Sequence, residues 1–170
     1  MNGLSKRERF LVSALTLAAA GAYFAYRRNR LIATCRFRGK VVAITGGSRG
    51  LGLELARLWA QEGARVAICA RTPADLERAE RELVDAGHEV FFMPCDVTQR
   101  DQAAAFINRV VAHWGSVDVL VNNAGIIQTG PLDCMTLEDF NNALATHFWG
   151  PLYLMQAVLP LMGPVEVIHS

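Results

Sequence analysis

Eight residues carry the sharpest chemical signal in this chain: Thr45-Gly46-Gly47-Ser48-Arg49-Gly50-Leu51-Gly52. They follow an apolar run, Lys40–Thr45, and open a stretch with helical periodicity. A glycine loop between a strand and a helix is built to hold a pyrophosphate. Gly46 lets the chain turn off the strand, Gly50 lets backbone approach the phosphates, and Gly52 lets the helix pack closely on the sheet. The helix N-terminus then presents free N–H groups and the positive end of its dipole. No Gly-Lys-Ser/Thr follows, so this is not a Walker loop. A second apolar run ends in Cys69-Ala70-Arg71, where a site for NAD(H) carries an acid for the ribose 2′-hydroxyl. No acid occurs before Asp75, whereas two guanidiniums, Arg49 and Arg71, are available. Planar forks grip a 2′-phosphate well, so NADP(H) is favoured over NAD(H).

Two more polar clusters follow apolar runs. Asp96-Val97 comes after the third run and Asn122-Asn123-Ala124-Gly125 after the fourth. Ligands of parallel sheets bind beyond the carboxyl ends of the strands, which is where both would fall. Each has a plainer alternative: Asp96 as a helix-start acid with Thr98, and the two asparagines as a turn.

The elements that would position these residues alternate. Strands are expected at Lys40–Thr45, Arg65–Cys69, Val90–Met93 and Val117–Val121, with a fifth starting in Val165–Ile168. Helices are expected at Leu51–Gly63, with Leu51, Leu55, Leu58 and Trp59 as its apolar set, and at Pro73–Gly87, capped by Thr72. Two more are expected at Thr98–Trp114, closed by Gly115, and at Thr136–Met162, bent near Gly150-Pro151. Strands and helices repeating at this spacing mean right-handed βαβ units and a parallel sheet. The fold class is α/β: an incomplete, Rossmann-like, doubly wound parallel sheet over 39–170.

Residues 1–38 have another character. Phe10–Tyr26 contains no charge and approaches the lower limit, about 17 residues, for a helix crossing a membrane. Lys6, Arg7 and Arg9 precede it; Arg27, Arg28 and Arg30 follow, so charge asymmetry does not orient it. The reading is a single-pass N-terminal anchor with a basic linker, the following domain facing the cytoplasm. A cleaved signal peptide and an interfacial helix stand as alternatives. The net charge of +1 gives no field that would draw nucleic acid. Cys35, Cys69, Cys95 and Cys134 form no CxxC pair, which argues against a metal site or a disulfide framework and fits a reducing compartment. Cys69 and Cys95 read as small buried hydrophobes.

Taken together, TGGSRGLG, the Asp-Val pair and NNAG resemble the short-chain dehydrogenase/reductase family, in its TGxxxGxG branch, from Gly39 to about Met162. The resemblance implies hydride transfer between a nicotinamide and a carbonyl or alcohol substrate. It implies that Gly46, Ser48, Arg49, Gly50, Leu51, Gly52 and Arg71 hold the cofactor, with Asp96 and Val97 at the adenine. Asn123, Ala124 and Gly125 would line the nicotinamide side. An anchor in front of such a domain is similar to family members that handle lipid-like carbonyls. The family's dimers imply a homo-oligomer.

The chain departs from the family at the acid–base machinery. The family uses Tyr-x-x-x-Lys, in which lysine lowers the pKa of a tyrosine that moves the alcohol proton. Here the tyrosines are Tyr23, Tyr26 and Tyr153, the lysines Lys6 and Lys40, and no such pair occurs. His147 of His147-Phe-Trp-Gly150 stands where the family has asparagine; it could relay a proton, or be a helix-face histidine. Ser170 aligns near the family's catalytic serine. The reading is therefore a fragment of a membrane-anchored NADP(H)-dependent oxidoreductase, or else a non-catalytic dinucleotide-binding or interaction protein at a membrane.

Overall fold

The computed structural model describes residues 37–162 and, before them, Tyr23. The chain divides into two units, 1–36 and 37–170, and the sheet belongs to the second. The apolar run at 10–26, the strand expected at Val165–Ile168, and Ser170 lie outside the described residues. Among the described residues, no helix is long and apolar enough to cross a membrane.

Among the described residues, four parallel strands form one sheet: β1 Val41–Thr45, β2 Arg65–Ala70, β3 Val90–Pro94 and β4 Val119–Val121, ordered β3-β2-β1-β4. Helices α1 (Gly50–Gln61), α2 (Pro73–Asp85) and α3 (Arg100–Trp114) make the crossovers. After β4 come α4 (Leu137–Leu144), a π-helical turn (Ala145–Trp149) and α5 (Gly150–Val158).

Strand alternation divides the core in two. Val42, Ile44, Val66 and Ile68 face Leu53, Ala56 and Ala60 of α1 and Leu76, Ala79 and Leu83 of α2. Val41, Ala43, Ala67 and Cys69 face Ala103, Phe106, Ile107 and Val110 of α3 and Leu154 and Val158 of α5. The sheet is thus doubly wound. Both faces of β1 and β2 are covered, which is why those strands read as unbroken apolar runs. Cys69 and Cys95 are buried free thiols.

Several expectations need correction. Leu51 and Leu58 are 69% and 56% exposed; α1 instead buries Gly52, Leu53, Ala56 and Ala60. Small side chains let this helix lie close to the strands; Leu55 and Trp59 pack against the edge of that core as expected, and Leu51 and Leu58 are left outside. Thr72 precedes α2, and Pro73 opens it, but the Thr72 hydroxyl makes no capping hydrogen bond. The fourth strand starts at Val119, not Val117, because the Asp118 side chain takes over the ladder's work. Its Oδ2 accepts from Val41 N at 2.8 Å, while its own N–H donates to Val41 O at 2.9 Å. The long C-terminal helix is interrupted near Gly150-Pro151 as expected, and the interruption takes the form of the π turn that ends one residue before Gly150.

Asp118 also accepts from Lys40 Nζ at 2.7 Å. Partial burial pushes its carboxyl up, but the hydrogen bonds from Lys40 and Val41 and the lysine charge outweigh this, and its pKa lies below the ordinary value. A depressed folded-state pKa stabilises above the unfolded value, and that stability is lost as pH falls through the folded one. Asp118→Asn is expected to lose about 1 kcal/mol at neutral pH, since Lys40 is half exposed and water screens the pair. Acid titration of both proteins should show the gap closing below about pH 4.

Candidate functional site

The carboxyl ends of all four strands open into one cleft of about 450 Å³. Strand order reverses between β1 and β4, and such a switch point is where α/β sheets leave a crevice. Of the twelve residues expected to hold a cofactor, eleven line it: Gly46, Ser48, Arg49, Gly50, Leu51, Arg71, Asp96, Val97, Asn123, Ala124 and Gly125. Gly52 does not. A methyl group there would sit 2.4 Å from Asn123 Nδ2 and 2.6 Å from Gly46 O, so this glycine serves close packing behind the loop.

The loop's N–H groups are divided between structure and cleft. Gly46 N and Gly47 N both donate to Cys69 O, at 2.8 and 3.4 Å, tying the start of the loop to β2. Beyond Gly47 the chain turns into α1, whose N-cap residue Arg49 supplies no side-chain cap and whose first turn holds no acid. Those first-turn donors are suited to an anion. Gly50 stands beside them at φ +57°, and a methyl group on it would meet nothing within 4 Å, which leaves room for a ligand to approach the backbone.

A hydrogen-bonded hub joins the loop to β4. The Thr45 hydroxyl, buried at 1% exposure, accepts from Asn123 N at 3.1 Å and Ala124 N at 3.0 Å and lies 3.4 Å from Val121 O. Asn123 Nδ2 donates to Thr45 O at 3.0 Å and Gly46 O at 3.1 Å. Asn123 is therefore a brace for the loop as well as a residue of the cleft. Its neighbour Asn122 is exposed and does not line it.

Asp96 forms the helix-start turn that was its plainer reading. Its Oδ1 accepts from Thr98 N at 3.0 Å and Thr98 Oγ1 at 2.9 Å. Val97 is buried beneath α5, where a methyl on Gly150 would meet its Cγ2 at 3.0 Å. Cys95 also lines the cleft, and Cys69 lies against it. The Cys95 sulfur and burial together push the Cys69 thiol up, which keeps it a neutral packing group.

His147 projects from the π turn and is exposed. Its Nε2 lies 2.9 Å from Ile126 O and 3.3 Å from Ile126 N, the tautomer deciding which bond forms. Its Cε1 would be 3.0 Å from a methyl on Gly125. The histidine thus buttresses the chain just beyond β4 without lining the cleft. The neighbouring Thr146, which sequence reasoning missed, is buried at 6% exposure and does line it. π turns occur often at functional sites, but no residue pattern in 145–149 announces one. At the cleft's outer edge, Gln128 donates to Asp139 Oδ1 at 2.9 Å, tethering the 126–135 loop to α4. Asp139 itself is held below the ordinary carboxylate range by the N–H and hydroxyl of Thr136 in a capping box. Among the described residues, no group of His, Cys, Asp and Glu could hold a metal ion.

Comparison with known proteins places this geometry. Residues 40–166 match the family described as short chain dehydrogenase. The chain is 34% identical to the uncharacterized oxidoreductase YxjF of Bacillus subtilis, over 74% of this chain and 49% of that one. It is 31% identical to the 11-beta-hydroxysteroid dehydrogenase-like 2 protein of Arabidopsis thaliana, over 95% of this chain and 56% of that one. Among solved structures, a metagenomic short-chain oxidoreductase in complex with NADP is 40% identical, with a TM-score of 0.69, over 74% of this chain and 57% of that one. A Burkholderia phymatum short-chain dehydrogenase/reductase in complex with NAD is 28% identical, with a TM-score of 0.72, over 74% and 45%. The chain spans about half the length of the curated relatives it matches.

Proposed function

Because the chain belongs to the short-chain dehydrogenase family, we propose that it is the cofactor-binding part of an NADP(H)-dependent oxidoreductase acting on a carbonyl or alcohol, of a lipid-like kind. One observation carries the cofactor reading: Arg49 and Arg71, both exposed, line the same cleft as the uncapped start of α1. The residues present fit the group. Gly50 leaves backbone room for a pyrophosphate, the first turn of α1 supplies donors, and the two guanidiniums suit a 2′-phosphate. When bound, the nicotinamide would supply the hydride exchanged with the substrate. Asp96 and Val97 would border the adenine. Asn123, Ala124 and Gly125 would border the nicotinamide end, held in place by Thr45 and His147. His147 Nδ1 carries no hydrogen bond among the described residues and is the group here that could pass a proton. Ser170 has the same standing by its place in the sequence.

The test is a titration of the 170-residue chain with NADPH and with NADH, following cofactor fluorescence and melting temperature together. A ligand that binds only the folded state must raise its stability. NADPH should bind and stabilise more than NADH. Arg71→Ala should weaken NADPH about tenfold, the scale of a charge-assisted hydrogen bond, and leave NADH within about twofold. Binding without turnover of any carbonyl would favour the second reading, a non-catalytic dinucleotide-binding protein, which agrees with His147 in place of the family's asparagine.

The same proposal includes a membrane. Its support is the uncharged run at 10–26 between two basic clusters. Resistance to alkaline carbonate extraction would support an anchor, and release would remove it. A homo-oligomer belongs to the reading too. Phe140, Leu144, Phe148 and Trp149 are large, apolar and exposed along α4 and the π turn.

A further inference from the structure

Beside Asp96, whose carboxylate is engaged by Thr98, one other acid lines the cleft among the described residues: Asp75, in the first turn of α2. It stands near Arg71 and Thr72 in the lining, and its side chain is 22% exposed. A free carboxylate there would oppose the phosphate that Arg71 would hold, since like charges sharing a cleft repel. It does not stand free. Arg78, one turn further along α2, donates from Nη2 to Asp75 Oδ1 at 3.0 Å. Arg78 is itself outside the cleft lining.

Arg78 has another acid within reach of its charge, Glu82, at the next turn of the same helix. That acid is already taken. Arg57 of α1 donates to both Glu82 oxygens, through Nε and, at 2.8 Å, through Nη2. Arg57 thereby leaves Arg78 to Asp75. The chain of pairs runs from α1 across α2 to the adenosine side of the cleft.

We infer that Arg78 is a positioning residue for cofactor choice: by holding and neutralising Asp75 it lets a cleft with an acid in its wall accept a 2′-phosphate. This rests on the NADP(H) reading above. Without Arg78, Asp75 is free to face the ligand as the acid of an NAD(H) site does, disfavouring phosphate and tolerating a 2′-hydroxyl.

The experiment compares NADPH and NADH affinities of the 170-residue chain as wild type, Arg78→Gln, Arg78→Lys, Asp75→Asn and the double variant, with melting temperatures measured alongside. Arg78→Gln should weaken NADPH about three- to fivefold, the upper range for an exposed ion pair, with NADH unchanged or tighter. Arg78→Lys should restore most of the loss. Asp75→Asn should tighten NADPH, and in that background Arg78→Gln should have no further effect, because there is no carboxylate left to release. A loss from Arg78→Gln that persists with Asp75→Asn would overturn the inference, since Arg78 would then act on the phosphate directly. So would an unchanged NADPH affinity in Arg78→Gln. A wild type without preference for NADPH overturns the cofactor reading and this inference with it, whereas a wild-type preference insensitive to both positions overturns this inference alone.

Discussion

Gly52→Ala should destabilise the chain by about 3 kcal/mol and abolish cofactor binding, although it adds only one methyl group. That carbon would lie 2.4 Å from Asn123 Nδ2, 2.6 Å from Gly46 O and 3.0 Å from Gly47 Cα. Two of the three neighbours are backbone and cannot swing aside. The third is the amide that braces the loop through Thr45 O and Gly46 O. Relief therefore requires α1 to move off the sheet or Asn123 to leave its hydrogen bonds, and either displaces the loop. Urea denaturation with NADPH titration measures both effects. Gly50→Ala is the informative control for stability alone: its methyl meets no described protein atom within 4 Å, and the cost to folding is the left-handed backbone, about 1 kcal/mol. A Gly52→Ala chain that unfolds and binds like wild type would remove the case for close packing.

Thr45→Val should cost about 2 kcal/mol with almost no change in volume. The substitution keeps the shape of the side chain and deletes the hydroxyl oxygen that Asn123 N and Ala124 N share. Asn123 N retains Val121 O at 3.1 Å, so the burden falls on Ala124 N, left without its acceptor at the wall of the cleft. Thr45→Ser, which keeps the oxygen, should recover most of the stability. If valine and serine behave alike, the loss comes from packing and the hub carries no weight. Cofactor affinity should follow the same order, because the backbone that Thr45 positions lines the cleft.

Much of this arrangement is legible in the residues. The glycine loop, the βαβ rhythm and the two polar clusters at strand ends are local patterns with local physical causes, and the fold gathers them around one cleft. What stays hidden depends on residues far apart in sequence. Thr45 looks like the last strand residue, and only its pairing with a segment nearly eighty positions away reveals the hub. Gly47 looks like a spare glycine, yet a methyl there would lie 2.6 Å from Ile68 Cγ2 on β2. The inward face of α1 escapes a reading that takes size as a sign of burial, because close approach to the sheet selects glycine and alanine. Asp118 shortens β4 by substituting a carboxylate for backbone, which no alternation of apolar residues encodes. The π turn leaves no trace in the helical period on either side.

The strand order has a kinetic consequence. β1, α1, β2, α2 and β3 are neighbours in space in the order of synthesis, so each joins its predecessor through a short loop. β4 must instead find β1 across 77 residues, at the Val41–Asp118 bond. Closing a long loop is entropically slower and is rewarded only when it is complete. Three strands and two helices can therefore assemble first, with β4 arriving afterwards. Native-state hydrogen exchange should find the amides of Val119–Val121, all only half-buried, opening at lower free energy than those of β1 and β2. Each such opening would release the loop's brace while most of the protein stayed folded. A dinucleotide touching both sides would then act as a latch, slowing exchange in β4 far more than in β1, β2 and β3.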